Sequence, residues 1–311
     1  MTHTTSSGPR LWAIVLAGGE GTRLQPLTRL ITGMPIPKQY CRIAGERSLL
    51  EETLARLDGL VPQARTLAIV NHDHLPLATP QLRTLETGNV VVQPRNRDTG
   101  PGILLPVLEL AHRDPDATVA IFPSDHYIGD VTAFRAAIRR ASALVENHPA
   151  KLVLLGAEPE WADPGYGYIL PSTPLPAAAG TSAFRVRAFC EKPAHGLAER
   201  IIGEGALWNC FVMVCRVRRL LALARALRPR DVAMLDAARD SAARTALYRD
   251  LPAWNFSSDL LARLAQHLVV LRADGIRWSD WGTVNAIERT LATLGRTPPW
   301  QDAGYALAAQ A

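Results

Sequence analysis

Five short apolar runs recur along the first half of the chain: Leu11–Leu16, Thr66–Val70, Val90–Gln93, Val119–Phe122 and Leu152–Gly156. Their apolar residues run on continuously, which predicts strands buried on both faces. Between them, Leu49, Leu50, Thr53, Leu54, Leu57 and Leu60 recur on one helical face, as do Val131, Phe134, Ile138, Ala141 and Val145. Ser48 and Thr132 read as first-turn or capping residues. This alternation predicts an α/β fold with a Rossmann-like, doubly wound, mainly parallel sheet, whose ligands bind outside the carboxyl ends of the strands. Three run ends carry glycine or polar residues (after Leu16, at Gln93-Pro94, and at Ser124-Asp125-His126), so they predict one crevice.

The second half is less regular. Gly165–Ile169, Phe184–Phe189 and Phe211–Cys215 predict strands that extend the sheet in mixed sense. Helices are expected over Val217–Leu227 and Asp231–Tyr248, then a short one from Asp259, a strand at Leu268–Leu271 and a helix over Val284–Leu294. Residues 173–182, rich in Pro, Ala, Gly, Ser and Thr, predict an exposed loop. Residues 1–10 read as a flexible N-terminal arm and 296–311 as a C-terminal tail, and no repeat of solenoid length is present.

At 311 residues and 48% hydrophobic the chain can bury a large core. No apolar stretch approaches the roughly 20 residues of a membrane span, and Met1–Arg10 lacks the apolar segment of a signal peptide. Cys41, Cys190, Cys210 and Cys215 show no Cys-x-x-Cys spacing and read as reduced thiols, which together predicts a cytoplasmic protein. The net charge of +5 is spread along the chain, with no basic stripe or module for nucleic acid. Lysine is scarce: Lys38, Lys151 and Lys192 stand against 31 arginines, and Lys38 and Lys192 each adjoin a proline in a motif-like segment. Lysine is a compact point charge suited to one phosphate oxygen, whereas arginine is a planar fork.

Several segments carry chemistry. Ala17-Gly18-Gly19-Glu20-Gly21-Thr22-Arg23-Leu24 follows the first strand and precedes Pro37-Lys38. Three glycines allow backbone N–H groups to approach a polyphosphate, and Arg23 and Lys38 can meet its oxygens. The spacing fits neither the Walker loop nor the dinucleotide fingerprint, which would need glycine or alanine where Leu24 stands. Asp125 ends an apolar strand and suits Mg²⁺, or else caps the turn before the Val131 helix. Asp280, in Trp278-Ser279-Asp280-Trp281-Gly282-Thr283, leaves the same two readings. Glu191-Lys192-Pro193 offers an acid for hydroxyls and a base for phosphate, or a surface ion pair. Asn209 is placed to read a hydroxyl or to end a turn, and Gly165-Tyr166-Gly167-Tyr168 forms a close-approach wall or a bulge. His72 and His74, spaced i, i+2 without a third ligand, do not make a zinc site.

Taken in order, these segments resemble the sugar-phosphate nucleotidyltransferases, and within them the mannose-1-phosphate guanylyltransferases, from about Leu11 to Leu294. The glycine loop with Pro37-Lys38-Gln39-Tyr40 resembles that family's nucleotide-binding stretch, and Gln93-Pro94-Arg95-Asn96-Arg97-Asp98-Thr99-Gly100-Pro101 its base-contacting block. Phe122-Pro123-Ser124-Asp125-His126 and Asp280-Trp281-Gly282-Thr283 resemble its metal blocks, and Glu191-Lys192-Pro193 its sugar-phosphate block. The resemblance implies one domain over 11–295, nucleotide-binding over 11–160 and sugar-phosphate-binding over 161–295. It implies reversible transfer between GTP and mannose 1-phosphate, giving GDP-mannose and pyrophosphate.

In that reading Arg23, Lys38 and Asp125 are catalytic, and Asp125 and Asp280 hold Mg²⁺. Leu16, Ala17, Gly18, Gly19, Gly21, Thr22, Gln93, Asn96 and Thr99 meet the nucleotide. Tyr166, Gly167, Glu191, Lys192 and Asn209 meet the sugar phosphate. The partners are small molecules, not nucleic acid or membrane, with a homo-oligomer left open; no isomerase barrel follows, which implies a single activity. Another sugar 1-phosphate or NTP, or a non-catalytic nucleotide-sugar-binding protein, are the alternatives. Three departures stand out: Arg29–Ile36 is about two residues longer than usual, Asp98 and Gly100 replace the commoner glycine and alanine, and Trp208-Asn209-Cys210-Phe211 lacks a glycine before the aromatic.

Overall fold

The computed structural model describes residues 10–175 and 182–300. Its strands are β1 (Leu11–Leu16), β2 (Thr66–Asn71), β3 (Val90–Gln93), β4 (Thr118–Pro123), β5 (Tyr127–Ile128), β6 (Leu152–Ala157), β7 (Gly167–Pro174), β8 (Ala183–Glu191), β9 (Leu207–Arg216), β10 (Leu268–Arg272) and β11 (Trp278–Ser279). Nine of them form one sheet in the order β3-β2-β1-β4-β9-β6-β10-β8-β7. The β3-β2-β1-β4 half is parallel, and β1 lies between β2 and β4, where the direction of winding reverses. Open α/β sheets bind ligands at that reversal, outside the strand carboxyl ends. Beyond it β9 runs antiparallel to both β4 and β6, which makes the sheet mixed, as expected.

Both faces of the sheet are covered, which explains the unbroken apolar runs. Ala13, Val15, Ala120 and Phe122 point into a core shared with the helices Leu49–Leu57 and Val131–Asn147. Ile14, Val119 and Ile121 point into the opposite core, under the helices Thr99–Arg113 and Val217–Leu227. A third, smaller core gathers Leu24, Leu27, Trp281, Ile287 and Trp300, and so packs the segment after the glycine loop against the Asp280 turn. Trp300 is thus a packed residue within the expected tail, its indole donating to Glu288; 301–311 and 1–9 lie outside the described residues.

Several elements differ from expectation. The helix Thr99–Arg113 was hidden by Gly100, Pro101, Gly102 and Pro106, which mask its apolar face. The helical stretch over Asp231–Tyr248 is two helices, Pro229–Ala237 and Ser241–Asp250, the second capped by Asp240. Thr173 and Pro174 belong to β7, while 176–181 of the expected loop lie outside the described residues. Ser48 forms a capping box with Glu51, and Thr132 stands in the first turn of a helix whose cap is Asp130. The longer Arg29–Ile36 connection is absorbed where the helix Gln25–Thr32 ends at Gly33 (φ 78°) and Thr28 donates to Ile36 O. None of the helices among the described residues is long and apolar enough to cross a membrane, and the four cysteines are free.

Candidate active site

Asp125 and Asp280 are joined by a two-stranded ribbon. Antiparallel β5 and β11 pair Tyr127 with Ser279 and Ile128 with Trp278, so both carboxylates leave the ribbon at the same end. Neither acts as a helix cap: Asp130 and Thr283 cap the helices that follow. The capping alternative therefore fails for Asp125, whereas Asp280 also closes its own turn by accepting from Gly282 N.

Each carboxylate is held by named partners. Burial alone would push the Asp125 carboxyl up, but the ammonium of Lys38 and the ring of His126 hold it below the usual carboxylate range. The indole of Trp278 donates to His126 Nδ1 (3.1 Å), which puts the ring proton on Nε2, 3.7 Å from Asp125 Oδ1. Burial keeps His126 below its ordinary pKa, against the opposing pull of Asp125, so the ring is neutral at pH 7. Arg56 is buried behind it, donating to His126 O at 3.2 and 3.3 Å, and burial lowers its pKa to about 10. Asp280 Oδ1 accepts from Tyr166 Oη (2.9 Å) and Gly282 N (2.8 Å). Burial and the adjacent carboxylate raise the Tyr166 pKa, so its hydroxyl stays a donor.

Two carboxylates suit Mg²⁺, which takes one or two from protein and completes its shell with water and phosphate oxygens. Asp125 is ionised, and Asp280 keeps Oδ2 clear of its two donors, so the donor set fits. Among the described residues no group of three or more His, Cys, Asp or Glu gathers as a metal cluster. His74 instead lies 3.5 Å from Glu20 and meets Tyr40 edge-on.

Lys38 is not where the sequence reading put it. It is buried and does not line the cavity. Its Nζ donates to Asp280 O (2.5 Å) and Trp281 O (2.9 Å) and lies 3.5 Å from Asp125 Oδ2. Lys38, expected at the phosphates, lies as a strut beneath Asp125 and Asp280. Ala17, Gly21 and Thr22 also do not line the cavity. Ala17 O accepts from Tyr40 Oη and Gln39 Nε2. Gly21 (φ 60°) lies against Lys38, where a Cβ would come within 3.1 Å of Lys38 N, so it shapes the loop.

The other fourteen sequence-assigned residues line one cavity of about 380 Å³. At its nucleotide end the glycine loop is braced by Gln39, whose amide donates to Gly19 O at 2.7 Å. Asn71 donates to Gly18 O and Glu20 Oε1, both at 2.8 Å, and accepts from Gln93 Nε2, which fixes both amides. Gln93 Oε1 is left buried without a partner. At the other end Lys192 lies 3.6 Å from Glu191, and burial, opposed by Lys192, raises the Glu191 pKa. A Cβ on Gly167 would come within 2.7 Å of Glu191 Oε2, so a side chain there would displace the Glu191 carboxylate.

Asp98, Phe211, Asn255, Ser257, His126 and Trp278 line the same cavity without having been assigned a role. The segment 252–257 gave no periodic signal; it is recruited by the block before it. Thr99 Oγ1 accepts from Phe256 N, Asn255 Nδ2 approaches Asp98 Oδ1, and Arg97 donates to Tyr248 O. The signal lay in the departures. Asp98 adopts φ 64°, ψ −175°, a conformation that favours glycine, and its N–H is held by Asn96 Oδ1. A Cβ on Gly100 would come within 2.2 Å of the Trp254 ring, on which Arg228 stacks. Gly100→Ala is accordingly expected to destabilise the chain by about 1–3 kcal/mol, although the change normally favours a helix. Urea denaturation of the two proteins checks this; an unchanged or raised midpoint contradicts it.

Compared with known proteins, residues 12–296 match the family model described as nucleotidyl transferase. The chain is 34% identical over 225 residues to the mannose-1-phosphate guanylyltransferase ManC of Salmonella typhimurium, covering 71% of this chain and 45% of that protein. It is 31% identical over 283 residues to the xanthan biosynthesis protein XanB of Xanthomonas campestris pv. campestris, covering 88% and 58%. It thus spans about half the length of the curated relatives it matches. A crystal structure from Thermus thermophilus, titled mannose-1-phosphate geranyltransferase, superimposes with a TM-score of 0.79 at 29% identity, over 91% of this chain and 79% of that one.

Proposed function

We propose that this chain, which belongs to the nucleotidyl transferase family, joins mannose 1-phosphate to GTP, giving GDP-mannose and pyrophosphate. The observation that carries the reading is the convergence of Arg23, Asp125, Lys192 and Asp280 on one cavity at the carboxyl ends of β1 and β4. Two cations and two anions from four separate segments of the chain meet there. The similarity to mannose-1-phosphate guanylyltransferases supports the choice of sugar and nucleotide.

In this mechanism no protein nucleophile is needed. A phosphate oxygen of the sugar phosphate forms the new P–O bond at the α-phosphorus while the bond to pyrophosphate breaks in line. Two anions must be brought together, so positioning and charge neutralisation supply the catalysis. Arg23 faces the triphosphate and the charge that develops on the departing pyrophosphate. Lys192 holds the sugar phosphate, with Glu191 and Asn209 at its hydroxyls. Mg²⁺, held by Asp125 and Asp280, would neutralise phosphate charge.

The test is pyrophosphate release by the purified chain with Mg²⁺, pairing GTP, UTP, dTTP and ATP with mannose and glucose 1-phosphates. GTP with mannose 1-phosphate is expected to give the highest kcat/KM. A different best pair reassigns the substrates; no turnover with any pair refutes the enzyme.

A further inference from the structure

In mid-strand, Phe211 has φ 56°, a backbone region that glycine enters freely and a bulky side chain enters only at a cost. The ladder shows how it gets there. Leu154 of β6 pairs with Met213 of β9, but Gly156 pairs with Asn209, so Cys210, Phe211 and Val212 stand against Leu155 alone. This is a bulge, a device that re-aims side chains beside functional sites. Asn209 locks it, its Oδ1 accepting from Phe211 N at 3.1 Å. The same bond turns the Asn209 amide so that its N–H₂ group is the one left to donate.

The consequence is an aromatic ring in a polar cavity. Phe211 lines the cavity with Asn209, Glu191, Asp98, Asn255 and Ser257. Asn255 approaches Asp98 at the same cavity wall. Carboxylates, amides and a hydroxyl gathered there suit the hydroxyls of a hexose, but Phe211 offers none of that chemistry. A hexose also presents C–H groups, and a ring packs against those and not against hydroxyls. The ring is half-buried: away from the cavity it packs against the core that holds Ile103, Met213 and Phe256, beside a small void.

We propose that Phe211 is a substrate-contacting residue that helps determine specificity, its ring forming the apolar wall for the C–H surface of the hexose bound in this cavity. The inference rests on the proposed transfer reaction and deepens its sugar subsite. Glycine keeps the bulge and removes the ring; alanine removes the ring and keeps the backbone cost.

The experiment measures KM for mannose 1-phosphate and for GTP, the mannose-to-glucose ratio of kcat/KM, and the melting temperature, in wild type, Phe211→Gly and Phe211→Ala. Both variants are expected to raise KM for mannose 1-phosphate by about 10-fold, the scale of one lost aromatic contact, with KM for GTP unchanged within about 2-fold. The sugar ratio should move towards unity. Phe211→Gly should melt above Phe211→Ala, the reverse of the usual order in a strand. Should either fail to fold, Phe211→Leu keeps the bulk without the flat ring and is expected to show the same split. An active wild type whose variants keep KM and sugar ratio within about 2-fold overturns the inference but leaves the transfer reaction standing. A wild type with no turnover on any substrate pair refutes the transfer reaction, and the inference falls with it.

Discussion

Asp125→Asn abolishes turnover, by about 10³-fold or more, the scale of removing a preorganised charge at the reacting centre, and leaves the fold intact. The side chain is one-third exposed at the end of β4 and belongs to none of the three cores, so little packing is lost. What is lost is the anion that the Lys38 ammonium keeps ionised. The variant is isosteric, so KM for GTP should stay near wild type while kcat collapses. Turnover near wild type, with Mg²⁺ still required, would show that Asp125 is not a metal carboxylate.

The same substitution has a pH signature. A carboxyl whose folded pKa is depressed contributes stability above its unfolded pKa, and that contribution is lost as pH falls through the folded value. Wild type should therefore outlast Asp125→Asn in thermal melts at neutral pH, and the gap should close as pH falls below about 4, the ordinary aspartate pKa. A gap that widens in acid contradicts the Lys38–Asp125 pairing.

What the sequence disclosed follows from how far each feature depends on distant partners. The parallel half was legible because unbroken apolar runs such as Val119–Phe122 are needed on a strand covered on both faces, whatever else the chain does. One end of the cavity was legible because Gly18, Gly19 and Asp125 sit on turns directly after those strands. The helix Thr99–Arg113 was not, because its glycines and prolines answer to Trp254 and the loop before it, not to helix propensity. Asn255 and Ser257 could not be found from local pattern, since contacts of their segment with Arg97, Asp98, Thr99 and Gly100 bring them in. Departures from a familiar pattern proved informative. Asp98, Gly100 and Phe211 each mark a place where this chain solves a backbone problem in its own way.

Lys38 is the sharpest disagreement, and Lys38→Met separates the two readings. A lysine that binds phosphate directly predicts a raised KM for GTP with stability nearly unchanged, because the ammonium would face solvent in the free protein. The structure instead buries it against two carbonyls and the Asp125 carboxylate. Methionine fills much the same space but donates nothing, so Asp280 O and Trp281 O lose their donor and Asp125 its counter-ion. Removing one member of a fully buried pair costs about 3–5 kcal/mol; with Asp125 one-third exposed, a loss of about 2–4 kcal/mol is expected. The Asp280 turn, whose Trp281 stacks on Tyr127 in a left-handed conformation, should relax away from Asp125. Misplacing a metal carboxylate by about 1 Å is enough to lower kcat by about 10²-fold. Lys38→Arg should not restore either property, because a planar fork cannot take the place of a compact ammonium between two carbonyls. Urea denaturation and steady-state kinetics on the three proteins decide the matter: a selective KM effect at unchanged midpoint returns Lys38 to the phosphates, whereas a joint fall of midpoint and kcat makes it the strut that holds both metal-site aspartates in place.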